Sequence, residues 1–73
     1  MPLKPLPYHE VKRRLEAAGF RIASQSGSHV KFTKHTATRA LIAIVPQHRE
    51  IVIGTLRGIL RQAGLTPDEF ENL

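Results

Sequence analysis

Ala40-Leu41-Ile42-Ala43-Ile44-Val45 is the longest apolar run in the chain, and Pro46 stops it. Six residues rich in β-branched side chains suit a strand and are too few for a buried helix. Proline has no N–H to give to a ladder, so the strand ends there. With no polar side chain on either side, the run predicts a strand at the centre of a sheet, or one covered on both faces, over residues 40–45. A chain of 73 residues has to build everything else around that strand. At this length only about 60% of the unfolded surface is buried on folding, so stability alone is expected to be marginal. There is no cysteine to supply a disulfide or a thiolate zinc site. The length fits one domain over 1–73.

The segments on either side take other periods. In Gly27-Ser28-His29-Val30-Lys31-Phe32, Val30 and Phe32 alternate with His29, Lys31 and Thr33, which predicts a strand over 29–34. Phe20, Ile22 and Ser24 alternate with Arg21, Ala23 and Gln25, a strand over 20–25. Ser26-Gly27-Ser28 joins the two as an antiparallel hairpin, and His35 to Arg39 is a polar connection to the third strand. Before the strands, residues 1–7 carry three prolines and read as an extended lead-in. Tyr8, Val11, Leu15 and Ala18 then form one apolar stripe, a helix over 8–18 closed by Gly19. After the strands, residues 47–52 form a loop. Ile53, Leu56, Ile59, Leu60 and Ala63 recur at helical spacing, a helix over 53–63 stopped by Gly64. Thr66-Pro67-Asp68-Glu69 has an N-cap, a first-turn proline and a capping-box glutamate, so a short helix comes next over 67–72, anchored by Phe70. The expected fold is α+β: helix, three antiparallel strands, helix, short helix, with the helices on one sheet face.

Charge narrows the partner. The formal net charge is +5, and ten of the eleven basic residues lie between Lys12 and Arg61, a span with only two acids, Glu16 and Glu50. Such a body suits a polyanion, most often nucleic acid, although a merely solvated surface has the same composition. No run approaches the roughly 18 apolar residues of a membrane span, and the start is unlike a signal peptide, so a cytoplasmic protein is expected.

Within that body the residue with chemistry to offer is His29. If Val30 and Phe32 point into a core, His29 and Lys31 point out, an imidazole beside an ammonium at the mouth of a turn. Imidazole takes and gives a proton near neutral pH. RNA brings its own nucleophile, the 2′-hydroxyl, so an enzyme need only deprotonate it and stabilise charge at phosphorus. Lys31 suits the scissile or a neighbouring phosphate, or is a solvated strand lysine. Lys34, Arg39, Arg57 and Arg61 are candidates for backbone contacts only, and Lys12-Arg13-Arg14 reads more readily as a solvated helix face. His9, His35 and His48 have no metal-ligand spacing, so no metal is expected. Ser28 has no acid partner for a serine–histidine pair. Tyr8, Phe20, Phe32 and Phe70 have the periodicity of core residues rather than of base-stacking platforms.

Three separate blocks resemble one family. Gly27-Ser28-His29-Val30-Lys31-Phe32, Val45-Pro46-Gln47-His48 and Gly54-Thr55-Leu56-Arg57-Gly58-Ile59-Leu60-Arg61-Gln62-Ala63-Gly64-Leu65 are similar, in the same order, to segments of the HicA toxins, also called YcfA-like. Val11 to Leu15 with Ala18-Gly19-Phe20 is typical of them too. The resemblance covers nearly all of 8–70. It implies a double-stranded-RNA-binding-domain-like fold, an mRNA-cleaving toxin of a type II toxin–antitoxin system, and neutralisation by a HicB-like antitoxin. It implies His29 as the catalytic residue, Gly27 and Ser28 as the turn that positions it, and neither metal nor cofactor. His48 matches a family position to which no chemistry is assigned. Gly27, Ser28, Lys31, Lys34 and Arg39 are the expected RNA contacts. Without the resemblance, the residues also fit a non-catalytic RNA-binding module, or an interaction subunit whose basic surface meets an acidic partner.

Overall fold

The computed structural model describes residues 3–73. They run α1 (Tyr8–Ala17), β1 (Arg21–Ser26), β2 (His29–His35), β3 (Ala40–Pro46), α2 (Ile53–Ala63) and α3 (Pro67–Glu71). The fold is α+β, with a three-stranded antiparallel sheet open on one face and helices on the other. From the helix layer come Val11 and Leu15 of α1 and Leu56, Ile59, Leu60 and Ala63 of α2; from the sheet come Val30, Phe32, Ala43 and Val45. These side chains make a single core, which Phe20 and Phe70 complete. The ring of Tyr8 lies 6.5 Å from that of Phe32.

The apolar run does not form the central strand. The strand order is β1-β2-β3, so β2 lies between its neighbours and β3 is an edge. Connectivity explains this: short turns join three successive strands as a meander, which keeps the middle strand of the sequence in the middle of the sheet. Nor is β3 covered on both faces. Ala43 and Val45 are fully buried, whereas Ile42 and Ile44 are 43% and 38% exposed on the side away from the helices. The edge itself is protected, because the N–H of Ile44 donates to Oε1 of Gln62 on α2 at 3.0 Å.

β1 departs from strict alternation. Ile22 pairs with Phe32 and Ser24 pairs with Lys31, so the register slips between them at Ala23. A bulge of this kind places two strand residues opposite one and reverses the facing of the residues beyond it. Ile22 therefore shares the side of Phe32, while Ser24 shares the side of Lys31. Phe20 precedes the strand and is buried.

The remaining elements obey local chemistry. α2 spans its expected residues and ends at Gly64 in the left-handed conformation, φ +69°. In α3 the hydroxyl of Thr66 accepts from the N–H of Glu69 at 3.1 Å, and the carboxylate of Glu69 accepts from the N–H of Thr66 at 2.8 Å. These two bonds are the reciprocal capping box expected from the sequence. Of the proline-rich lead-in, Met1 and Pro2 lie outside the described residues. Leu6 is buried and exchanges two backbone hydrogen bonds with Ile51, at 3.2 and 2.6 Å. The N–H of Tyr8 donates to the carbonyl of His48 at 3.1 Å, so the 47–52 loop holds the start of α1.

α1 and α3 are joined by charge. The carboxylate of Glu10 accepts from Nη2 of Arg13 at 2.7 Å and from Nε of Arg14 at 2.8 Å. Arg14 also donates to the carbonyl of Phe70 at 3.4 Å, lies 3.8 Å from the carboxylate of Glu71, and covers the Phe70 ring 5.0 Å from its centroid. Hydrogen bonds from Arg13 and then Arg14 hold the Glu10 carboxyl down at about 2, well below its ordinary value.

Candidate active site

Residues directly opposite one another in an antiparallel ladder share a face, so the register maps the open side of the sheet. At the hairpin end His29 lies between Ser26 and Pro46. The next row holds Ser24, Lys31 and Ile44, and the row after it Arg21, Thr33 and Ile42. Along β2 burial agrees with this parity, whereas Pro46, in the His29 row, is buried. Val30 and Phe32 are buried, His29 is exposed, and Lys31 and Thr33 are half-buried. Thus the imidazole and the ammonium stand on one face, two residues and about 6.6–7 Å apart along the strand.

The turn that presents His29 is tightly held. Gly27 adopts φ +58°, and no non-glycine residue among those described has positive φ. Positive φ at the first central residue alone is the sign pattern of a type II′ hairpin turn, in which glycine is preferred at that position. A Cβ at Gly27 would meet nothing within 4 Å, so the demand for glycine is conformational rather than spatial. The Ser28 carbonyl accepts from the N–H of Gln47 at 2.6 Å, which ties the turn to the residue after β3. Nε2 of Gln25 donates to the Gly27 carbonyl at 3.0 Å and to Oε1 of Gln47 at 2.8 Å.

The structure brings some of the expected residues together and separates others. Gly27, Ser28, His29 and Lys31 form one end of the open face. Lys34 does not join them. It pairs with Leu41 on the helix side, where its ammonium rests over the Phe20 ring, 5.9 Å from the centroid. Arg39 is exposed in the turn after β2, closed by the hydroxyl of Thr36, which accepts from its N–H at 3.1 Å and donates to its carbonyl at 2.9 Å. That turn is six residues along β2 from His29, about 20 Å away. Arg57 and Arg61 line a separate cavity of about 370 Å³ with Leu60, Leu65, Thr66 and Pro67, which no open-face residue enters. Among the described residues no three His, Asp or Glu side chains converge, and no helix is long and apolar enough to cross a membrane.

Two features of this region were not legible as site residues. Arg21 reaches the open face opposite Thr33. Gln25 holds the turn because the bulge at Ala23 turns it toward the side of Gln47 rather than that of Arg21. The bulge is the missing signal, and nothing in Ile22-Ala23-Ser24 marks it.

A family model, the HicA toxin of bacterial toxin–antitoxin systems, matches residues 8–65. The chain belongs to the HicA toxin family. The match runs from α1 through α2 and holds the whole sheet, with Gly27, Ser28, His29 and Lys31 inside it. No curated protein matches the chain. As a HicA toxin it is the toxic member of a pair and has an antitoxin as its partner.

Proposed function

We infer that this HicA toxin is an endoribonuclease that cleaves mRNA on the open face of its sheet without a metal, with His29 as general base and acid. The supporting observation is the register of β2, which sets His29 on the same exposed face as Lys31 at the end of a held turn. In the reaction an imidazole nitrogen of His29 takes the proton of the 2′-hydroxyl. The 2′-oxygen attacks phosphorus, the bond from phosphorus to the 5′-oxygen breaks, and the proton returns to that oxygen from the imidazolium or from water. The products are a 2′,3′-cyclic phosphate and a 5′-hydroxyl. Lys31 holds the charge on the phosphoryl oxygens, and Gly27 and Ser28 set the position of the ring. Arg39 serves the backbone of the same strand farther on, where charge counts more than geometry.

The test uses the purified toxin, a chelator, and an RNA carrying one 2′-deoxy nucleotide at the cleavage site. The unmodified RNA is expected to yield cyclic-phosphate ends, and the deoxy substitution is expected to block cleavage there. Cleavage of the deoxy-substituted strand at that site overturns the mechanism, because the attacking oxygen would have to come from elsewhere.

The antitoxin in this reading is HicB-like and covers the same face. Ile42 and Ile44 stand exposed in the rows that hold Arg21 and Lys31, an apolar strip next to basic residues that an acidic partner with an apolar centre complements. Hydrogen exchange on the complex is expected to show protection over residues 27–33 and 40–46. Protection confined to α1 and α3 contradicts steric masking.

A further inference from the structure

The side chain of Gln25 has no part in the chemistry above, yet it makes two hydrogen bonds at the turn that leads into His29. Its amide nitrogen has two hydrogens, and both are used: one on the Gly27 carbonyl at 3.0 Å, one on Oε1 of Gln47 at 2.8 Å. The polarity of this pair is dictated by chemistry. A carbonyl only accepts, so the group facing Gly27 is the nitrogen of Gln25, and Gln47 must turn its oxygen toward that nitrogen. The backbone of Gln47 meanwhile donates to Ser28 at 2.6 Å. The two residues of the turn are thus each tied through a carbonyl, Gly27 to the Gln25 side chain and Ser28 to the Gln47 backbone. His29 is the next residue, and Ser26, its cross-strand neighbour, comes directly after Gln25.

We propose that Gln25 is a positioning residue for His29, acting through Gly27 and Gln47 to hold the hairpin turn in the one conformation that presents the imidazole to the RNA 2′-hydroxyl. This rests on the reading of His29 as the base. Both glutamines are exposed, so their hydrogen bonds add little to global stability. Their effect falls on geometry, because a two-residue turn with a glycine at its first position has freedom to rock, and displacement of a general base by a fraction of its hydrogen-bond length is felt in the rate.

The experiment compares single-turnover and steady-state RNA cleavage by the full chain carrying Gln25→Ala, Gln25→Glu, or Gln25→Lys together with Gln47→Glu. Gln25→Ala is expected to lower kcat about tenfold, with KM within about twofold and Tm within about 4 °C of wild type. Gln25→Glu keeps the size of the side chain but turns an anion toward the Gly27 carbonyl, which cannot donate, so it is expected to be at least as slow. The double variant keeps a donor at position 25 and an acceptor at position 47, and is expected to recover most of the lost kcat. Amide exchange at Gln47 is expected to quicken in Gln25→Ala and to slow again in the double variant. A Gln25→Ala protein with wild-type kcat overturns the proposal. So does a loss of rate that tracks loss of folded protein, or a double variant no faster than Gln25→Glu. The two failures read out separately. A His29→Ala protein that still cleaves defeats the general-base reading, whereas an inactive His29→Ala beside a fully active Gln25→Ala defeats only the positioning role.

Discussion

The helix layer and the open sheet face both carry cations, and they use them in opposite ways. In the helix layer Arg13 and Arg14 share the Glu10 carboxylate, and Arg14 goes on to Glu71, the Phe70 carbonyl and the Phe70 ring. Those charges hold α3 against α1. On the open face no carboxylate pairs with Arg21 or Lys31 among the described residues. Charge left unpaired on a solvated sheet contributes nothing to folding and stays available to a polyanion. The fold thus separates cations paired within the helix layer from cations left unpaired on the open face. Substitutions in the two regions should then fail in different assays.

The largest effect is expected at His29. Replacing it by alanine should lower RNA cleavage by about 10²–10⁴-fold, the usual weight of a general base. Because the side chain is exposed, stability should move by no more than about 0.5 kcal/mol. Cleavage at the wild-type rate by a folded variant, or a loss explained by unfolding, breaks the assignment.

Arg14→Ala should show the converse. It removes a half-buried guanidinium with partners on two helices, which is expected to cost about 2 kcal/mol and lower Tm by on the order of 10 °C. RNA affinity per folded molecule should be unchanged. A fall in affinity with the fold intact would bring α1 into the RNA surface and blur the division.

Gly27→Ala lies between the two regions in kind. The new methyl group has room, so the cost is that of holding alanine at positive φ in a type II′ turn, about 1–3 kcal/mol. The variant should lose cleavage out of proportion to stability, since the strain falls on the turn that carries His29. Thermal melts beside cleavage rates separate the two losses.

The smallest effect is expected at Glu10. Its folded-state pKa is depressed, so its contribution is present above the unfolded value and is lost as pH falls toward about 2. Glu10→Gln should therefore cost about 0.5–1 kcal/mol at neutral pH, a modest figure because the pair meets solvent. The difference from wild type should shrink below about pH 4.5 and vanish only below about pH 2. An equal difference at both ends of that range would mean the ion pairs do not stabilise α1.

Much of this was legible in the sequence because the signals were local. α2 and the capping box of α3 could be read to within a residue from Gly64 and Thr66-Pro67-Asp68-Glu69, since each ends or starts a helix by its own backbone chemistry. The outward parity of His29 could be read from Val30 and Phe32, because a strand alternates without reference to its neighbours. The features that could not be read depended on pairing. An apolar run is the same whether it lies at the centre of a sheet or at an edge with an exposed face, and Ile42 and Ile44 became distinguishable from Ala43 and Val45 only through the helix layer. The bulge at Ala23, and with it the facing of Gln25 and Ser24, was set by register with β2. Lys34 stands an odd number of residues from His29 along β2, so its place over Phe20 came from the same parity that exposed His29.

The division between a folding layer and a working face is tested most directly by nuclear magnetic resonance titration of the full chain with a 2′-O-methyl RNA, which binds without being cleaved. Shifts should concentrate in the side chains of Arg21, His29, Lys31 and Thr33 and in the methyl groups of Ile42 and Ile44, with Arg13 and Arg14 unmoved. Shifts centred on Arg13, Arg14 and α3, with His29 to Thr33 unchanged, would contradict it.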